Sequence, residues 1–167
     1  MKDGFIKAAC ATPDICVADV EYNTESIIKC IEEAQQNGAK IIVLPELCVT
    51  AYTCSDLFMQ SSLIKAAEKA VGVIAEHTGN VIAAVGIPVV YKNSLYNCAA
   101  VLNAGHIIAV IPKTFIPNYN EFYEARHFAP GLRAAADIKL GNDTVPFGTD
   151  IFIKSEEMPS LCMAFEI

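Results

Sequence analysis

No run of lysine or arginine, no CxxC pair, no internal repeat and no low-complexity tract occurs in these 167 residues. Without a basic stretch the chain has nothing to track a phosphate backbone. With 12 basic residues against 19 acidic ones and a formal charge of −7, nucleic acid is not expected as a partner. The opening Met1-Lys2-Asp3-Gly4-Phe5-Ile6-Lys7 carries an early acid and breaks its apolar stretch with Lys7, which fits neither a signal peptide nor a membrane span. A cytoplasmic protein with no membrane partner is expected. The seven cysteines, at 10, 16, 30, 48, 54, 98 and 162, come with no histidine grouping at zinc-ligand spacing, and their odd number does not fit a fully paired disulfide framework. They read as reduced thiols, mostly in the core and Cys162 among them, with no metal site. His77, His106 and His127 read as a helix-end, a strand and a loop residue.

What the chain has in quantity is apolar sequence, 53% of its residues, enough for one domain with a sizeable core. Phe5 to Ala11 reads as a strand. Asn23 or Thr24 then caps a helix with the apolar face Ile27, Ile28, Ile31 and Ala34, Gly38 ends it, and strand Lys40 to Leu44 follows. A strand, helix, strand unit with so short a return is the signature of parallel pairing in a helix-covered sheet. A second amphipathic helix begins near Ser61 or Ser62, buries Ile64, Ala67, Val71, Ile74 and Ala75, and stops at Gly79 before strand Val81 to Val85. Strands Asn97 to Leu102 and His106 to Ile111 flank Asn103-Ala104-Gly105, a tight hairpin loop, so mixed pairing is expected. Between Thr114 and Ala136 regularity disappears, and such long loops often carry function. Asp137 to Leu140 and Ile151 to Ile153 read as short strands, and Leu161 to Ile167 as a terminal one.

Two charged residues stand just past apolar strands: Glu46 after Ile41-Ile42-Val43-Leu44-Pro45, and Lys113 after Ile107-Ile108-Ala109-Val110-Ile111-Pro112. Ligands gather at the carboxyl ends of strands in α/β sheets, so this carboxylate and ammonium are placed to face one pocket, with the strand ending at Ile167 as its third side. Position alone serves a structural ion pair equally well.

Longer patterns surround both residues. Leu44-Pro45-Glu46-Leu47-Cys48-Val49-Thr50-Ala51-Tyr52, continued by Asp56-Leu57-Phe58, and Pro112-Lys113-Thr114-Phe115-Ile116-Pro117-Asn118-Tyr119-Asn120-Glu121-Phe122-Tyr123-Glu124-Ala125-Arg126 resemble the nitrilase superfamily, and within it the glutaminase domains of glutamine-dependent NAD synthetases. The resemblance spans essentially the whole chain, residues 1–167, and only the first part of such a domain. Family members often carry glycine where Ala51 stands. What it implies is a partial nitrilase-type α-β-β-α sandwich, an α/β fold of mixed sheets flanked by helices, with Glu46 as base, Lys113 as oxyanion stabiliser and Glu121 as second carboxylate. Tyr52, Tyr119, Phe122 and Glu124 would contact the substrate. Arg126 also matches the pattern, where a loop-fixing ion pair explains it equally well. The nucleophilic cysteine is expected immediately after Ile167.

These parts suit amide hydrolysis. A thiol attacks as its thiolate, a carboxylate takes its proton, and an ammonium in a water-poor pocket meets the oxyanion with little reorganisation, its own pKa staying high beside Glu46. The resemblance therefore implies L-glutamine as substrate and release of ammonia. That ammonia would pass to a C-terminal synthetase domain that amidates deamido-NAD with ATP and magnesium; no cofactor is expected in this chain. The segment by itself is expected to be inactive, and its apolar surface to favour association into a homo-oligomer. Two other readings share the same residues: a stand-alone nitrilase-family amidase, and a non-catalytic remnant that keeps the charged pair only as structure.

Overall fold

The computed structural model describes residues 5–133, 136–156 and 160–167. The expectations placed on Met1 to Gly4, and on Ala134 and Ala135 at the end of the long loop, lie outside the described residues.

Strands β1 (Ala8–Cys10), β2 (Ile41–Val43), β3 (Ile82–Tyr91), β4 (Ser94–Asn103), β5 (His106–Pro112), β6 (Ala136–Leu140) and β7 (Asp143–Phe147) form one sheet in the order β1-β2-β3-β4-β5-β7-β6. Pairing is mixed, as expected: β1, β2 and β3 run parallel, β3 to β5 form an antiparallel meander, and β7 joins β5 in parallel. Helices α1 (Val20–Gln36) and α2 (Ser61–Glu76) return the chain from β1 to β2 and from the segment after β2 to β3. Their apolar stripes, Ile27 and Ile31 on α1 and Ala67, Val71 and Ile74 on α2, pack into one core with Ile42, Ala83, Val85, Ile87, Ala100 and Leu102 of the sheet. A smaller pair, β8 (Ile153–Lys154) and β9 (Cys162–Met163), contributes Ile153 to the opposite face, where Phe165 and Ile151 also pack against Val101, Ala109 and Ile111. This is the expected nitrilase-type α/β arrangement.

Several boundaries differ from the sequence reading, each for a physical reason. Helix α1 starts a turn earlier, because Asp19 is the N-cap, its carboxylate accepting from Tyr22 N at 3.1 Å. Asn23 is instead fully buried, bonded to Cys16 N and Cys16 O and donating 3.1 Å to Val49 O, so it fastens the helix to the turn after β2. Strands β3 and β4 are far longer than expected and close on Lys92-Asn93, both at positive φ, the two-residue geometry that continues the strand twist. Pro88 falls where β3 has run past β2, an open edge on which proline is tolerated. Strand β7 was not foreseen. Of the terminal strand, Cys162–Met163 pairs with β8 and residues 164–167 continue without regular pairing.

Candidate active site

Glu46 sits on a tight turn that leaves β2 and is pressed against β3. Leu44 N bonds to Ala84 O, Val49 N to Gly86 O, and Thr50 N to Leu47 O. Gly86 makes this approach possible: a Cβ there would collide with Leu47 N and Pro45 O. The turn is strained. Leu47 has φ 51° and Ala51 has φ 74°. Lys113 leaves β5 with its main-chain N donating 2.7 Å to Asn97 O on β4, which sets it beside the turn.

The side chains meet. Lys113 Nζ lies 3.1 and 2.9 Å from the two carboxylate oxygens of Glu46 and 3.1 Å from Glu124 Oε1, while Tyr52 OH donates to the same Glu124 oxygen. Asn97 Nδ2 donates 2.9 Å to Glu46 Oε2. Lys113, Glu124 and Asn97 are buried, at 8%, 7% and 1% exposure, so this is not an exposed pair of little consequence. Burial disfavours the Lys113 ammonium, but its bonds to Glu46 and then Glu124 outweigh that and hold its pKa above the ordinary lysine value. The lysine's part of this stabilisation is in place below its unfolded pKa of about 10.4 and fades as pH rises through the raised folded value. Burial, followed by the bond to Glu124, pushes the Tyr52 phenol up, so it remains a donor at neutral pH.

The loop after Lys113 sorts its acids. Asn120, at φ 51°, turns the chain between Tyr119 and Phe122, whose N bonds to Tyr119 O at 2.9 Å, and Glu121 stands exposed at the apex. Three residues on, the short helical turn Glu124–Arg126 points Glu124 inward. The carboxylate that Lys113 holds besides Glu46 is thus Glu124. Glu121 lines a cavity of about 180 Å³ with Tyr52, Phe122, Glu124 and His127. Tyr119, 64% exposed, stacks on Phe122 with centroids 5.7 Å apart. Arg126 makes the loop-fixing pair expected of it, with two bonds to Asp56.

On the other side of Glu46, a cleft of about 320 Å³ is lined by Pro45, Glu46, Gly86, Phe165, Glu166 and Ile167 among others. The terminal segment alternates, Phe165 and Ile167 half-buried and Ala164 and Glu166 exposed, so its apolar side lies on the sheet beside Glu46. The buried thiols Cys48 and Cys98 are poor nucleophiles. Burial pushes Cys48 up to about 12 and Cys98 well above the ordinary thiol value. Cys162 is exposed, not in the core as its apolar neighbours suggested, because β9 pairs only with β8 and turns that position outward; Cys10 and Cys16 are exposed too. Among the described residues no three His, Cys, Asp or Glu side chains group as metal ligands, and no helix is long and apolar enough to cross a membrane.

Sequence reasoning missed three participants: Asn97, Gly86 and His127. An amide inside the run Tyr96-Asn97-Cys98-Ala99-Ala100-Val101-Leu102 was the signal for the first. His127 is half-buried, its two ring nitrogens without a hydrogen bond and Nε2 lying 3.9 Å from Asp56 Oδ1, while Glu124 Oε2 in the same cavity also has no hydrogen bond.

Residues 7–151 match the carbon-nitrogen hydrolase family. The chain belongs to that family. It is 31% identical over 166 residues to the glutamine-dependent NAD(+) synthetase of Mycobacterium tuberculosis H37Rv, covering 98% of this chain and 24% of that one. To the enzyme of the same name from Aquifex aeolicus it is 43% identical over 117 residues, 69% of this chain and 20% of the relative. The chain thus spans about a quarter of the length of the curated relatives it matches. Among solved structures, a glutamine-dependent NAD(+) synthetase from Cytophaga hutchinsonii superposes with a TM-score of 0.85 at 28% identity, over 91% of this chain and 26% of that one. An amidase from Nesterenkonia sp., at 19% identity and a TM-score of 0.67 over 87% of this chain and 56% of that one, shares the fold.

Proposed function

We propose that this segment belongs to a glutamine-hydrolysing domain that supplies ammonia to a downstream synthetase domain. The observation that carries the reading is the buried Lys113 ammonium clamped between Glu46 and Glu124, with Glu46 lining a cleft that the terminal segment also lines. A cysteine following Ile167 would enter that cleft as the nucleophile. Glu46 takes the thiol proton, the sulfur adds to the glutamine carboxamide, and the oxyanion forms within reach of Lys113. The proton passes from Glu46 to the departing nitrogen, releasing ammonia and leaving a thioester. Water, deprotonated by Glu46, cleaves the thioester to glutamate and restores the thiol.

Glu124, braced by Tyr52, is proposed as the second carboxylate that holds Lys113, the role resemblance first gave to Glu121. Glu121, Tyr119 and Phe122 then belong to the substrate's approach. ATP with magnesium and deamido-NAD are assigned to the synthetase domain on the resemblance stated above. Burial makes Cys48 and Cys98 unfit to attack, and the exposed Cys10, Cys16 and Cys162 do not line the cleft beside Glu46, so residues 1–167 alone are proposed to be inactive. A homo-oligomer of the longer protein is part of the proposal, tested by its mass in solution.

The experiment is ammonia release from glutamine by the protein expressed with its native downstream codons. Glu46→Gln and Lys113→Met are each expected to lower the rate by about 10³-fold. A rate unchanged in both variants contradicts the proposal.

A further inference from the structure

A buried asparagine with no structural task is expected to satisfy both ends of its amide. Asn97 does not. Its Nδ2 donates to Glu46 Oε2 at 2.9 Å, while its Oδ1 is buried without a partner. Rotating the amide by half a turn would set Oδ1 against a carboxylate oxygen, so electrostatics fix the orientation found. The same residue's main-chain oxygen receives Lys113 N at 2.7 Å. One strand position therefore holds both members of the charged pair.

Resting on the function proposed above, we propose that Asn97 is a positioning residue that decides which oxygen of Glu46 takes the proton. Oε2 receives two donors, Asn97 Nδ2 and Lys113 Nζ, each at 2.9 Å; among the described residues Oε1 receives only Lys113, at 3.1 Å. The lone pair left open is on Oε1, and the thiol proton goes there. Losing Asn97 frees the carboxylate to turn about its last bond and spreads the proton over both oxygens, of which one is misplaced for the reaction. The other ionisable groups facing Glu46 are Lys113 beyond β5, Glu124 through that lysine, Tyr52, whose phenol feels the Glu46 charge, and Glu166 across the cleft.

The test uses the full-length protein and three variants, Asn97→Ala, Asn97→Ser and Asn97→Asp. With Ala and Ser, kcat for glutamine hydrolysis is expected to fall roughly 10- to 100-fold with KM within about twofold, after correction for the fraction of sites titrated by an electrophilic glutamine analogue. With Asp, two carboxylates stand at hydrogen-bond distance and cannot both ionise freely, so the acidic limb of the kcat profile should move up by about one pH unit or more. Per-site kcat and acidic limb both at wild-type values would overturn the assignment, as would a loss of rate that matches the loss of titratable sites. If Asn97→Asp does not fold, the Ala and Ser variants decide through kcat. Should Glu46→Gln retain full activity, the underlying function fails instead, which separates the two failures.

Discussion

The two faces of the seven-stranded sheet are built on opposite terms. Under α1 and α2 the packing is closed and almost wholly apolar, with Ile27, Ile31, Ile42, Val71, Ile74 and Leu102 all at zero exposure. On the opposite face, among the described residues, Val101, Ala109 and Ile111 form a small buried cluster, and their cover, Ile151, Ile153 and Phe165, is itself only partly buried. By strand alternation that second face also carries Asn97, next to Glu46 and Lys113. The closed face supplies stability through buried area. The open one accepts buried charge and a strained turn, which cost stability and fit the catalytic role proposed above.

The sharpest way to break this division is to truncate one large side chain on each face. Ile74→Ala should cost about 2–5 kcal/mol, since it removes a fully buried side chain from a closed core, whereas Phe165→Ala should cost under about 1 kcal/mol. Denaturant unfolding of both variants checks it; equal losses would show that the second face carries as much of the fold as the first. A gain should follow from relieving the strain on the site side. Ala51→Gly is expected to stabilise by about 1 kcal/mol, the relief of a φ of 74° less the added chain entropy, read as a higher denaturant midpoint. The smallest effect belongs to neither face. Asp143, at the head of β7, accepts from Ile107 N at 2.9 Å, and that bond, against slight burial and with help from His106, holds its carboxyl below the ordinary value of 3.8. A depressed carboxyl stabilises above its unfolded pKa and loses that contribution as pH falls through the folded one. Asp143→Asn should therefore cost about 1 kcal/mol or less at neutral pH, with the gap to the unaltered protein closing below about pH 4 in pH-dependent unfolding.

The closed face was legible because its signal is periodic. Ile27, Ile31 and Ala34, or Ala67, Val71 and Ile74, announce a helix stripe wherever they occur. The hairpin between β3 and β4 was not, since Lys92-Asn93 lacks the glycine that usually marks positive φ, and Gly86 and Pro88 interrupt the strand pattern. Those interruptions serve the site, Gly86 by admitting the turn that carries Glu46. Glu46 and Lys113 could be found from their place after apolar strands. That Lys113 bonds to Glu124 could not be read by counting along the loop, because the reversal at Asn120 exists only once the loop is folded. Asn97 was hidden for a related reason: its partner lies 51 residues away in sequence.

The central claim is that Glu46, Lys113 and Glu124 form an amide-cleaving site completed beside Ile167. The most direct measurement treats the protein, extended through its native downstream residues, with an electrophilic glutamine analogue and locates the modified residue by peptide mass spectrometry. The account predicts labelling of a cysteine immediately after Ile167, blocked by glutamine and slowed by Glu46→Gln. Labelling at Cys162 instead, or none in a folded extended chain, would contradict it.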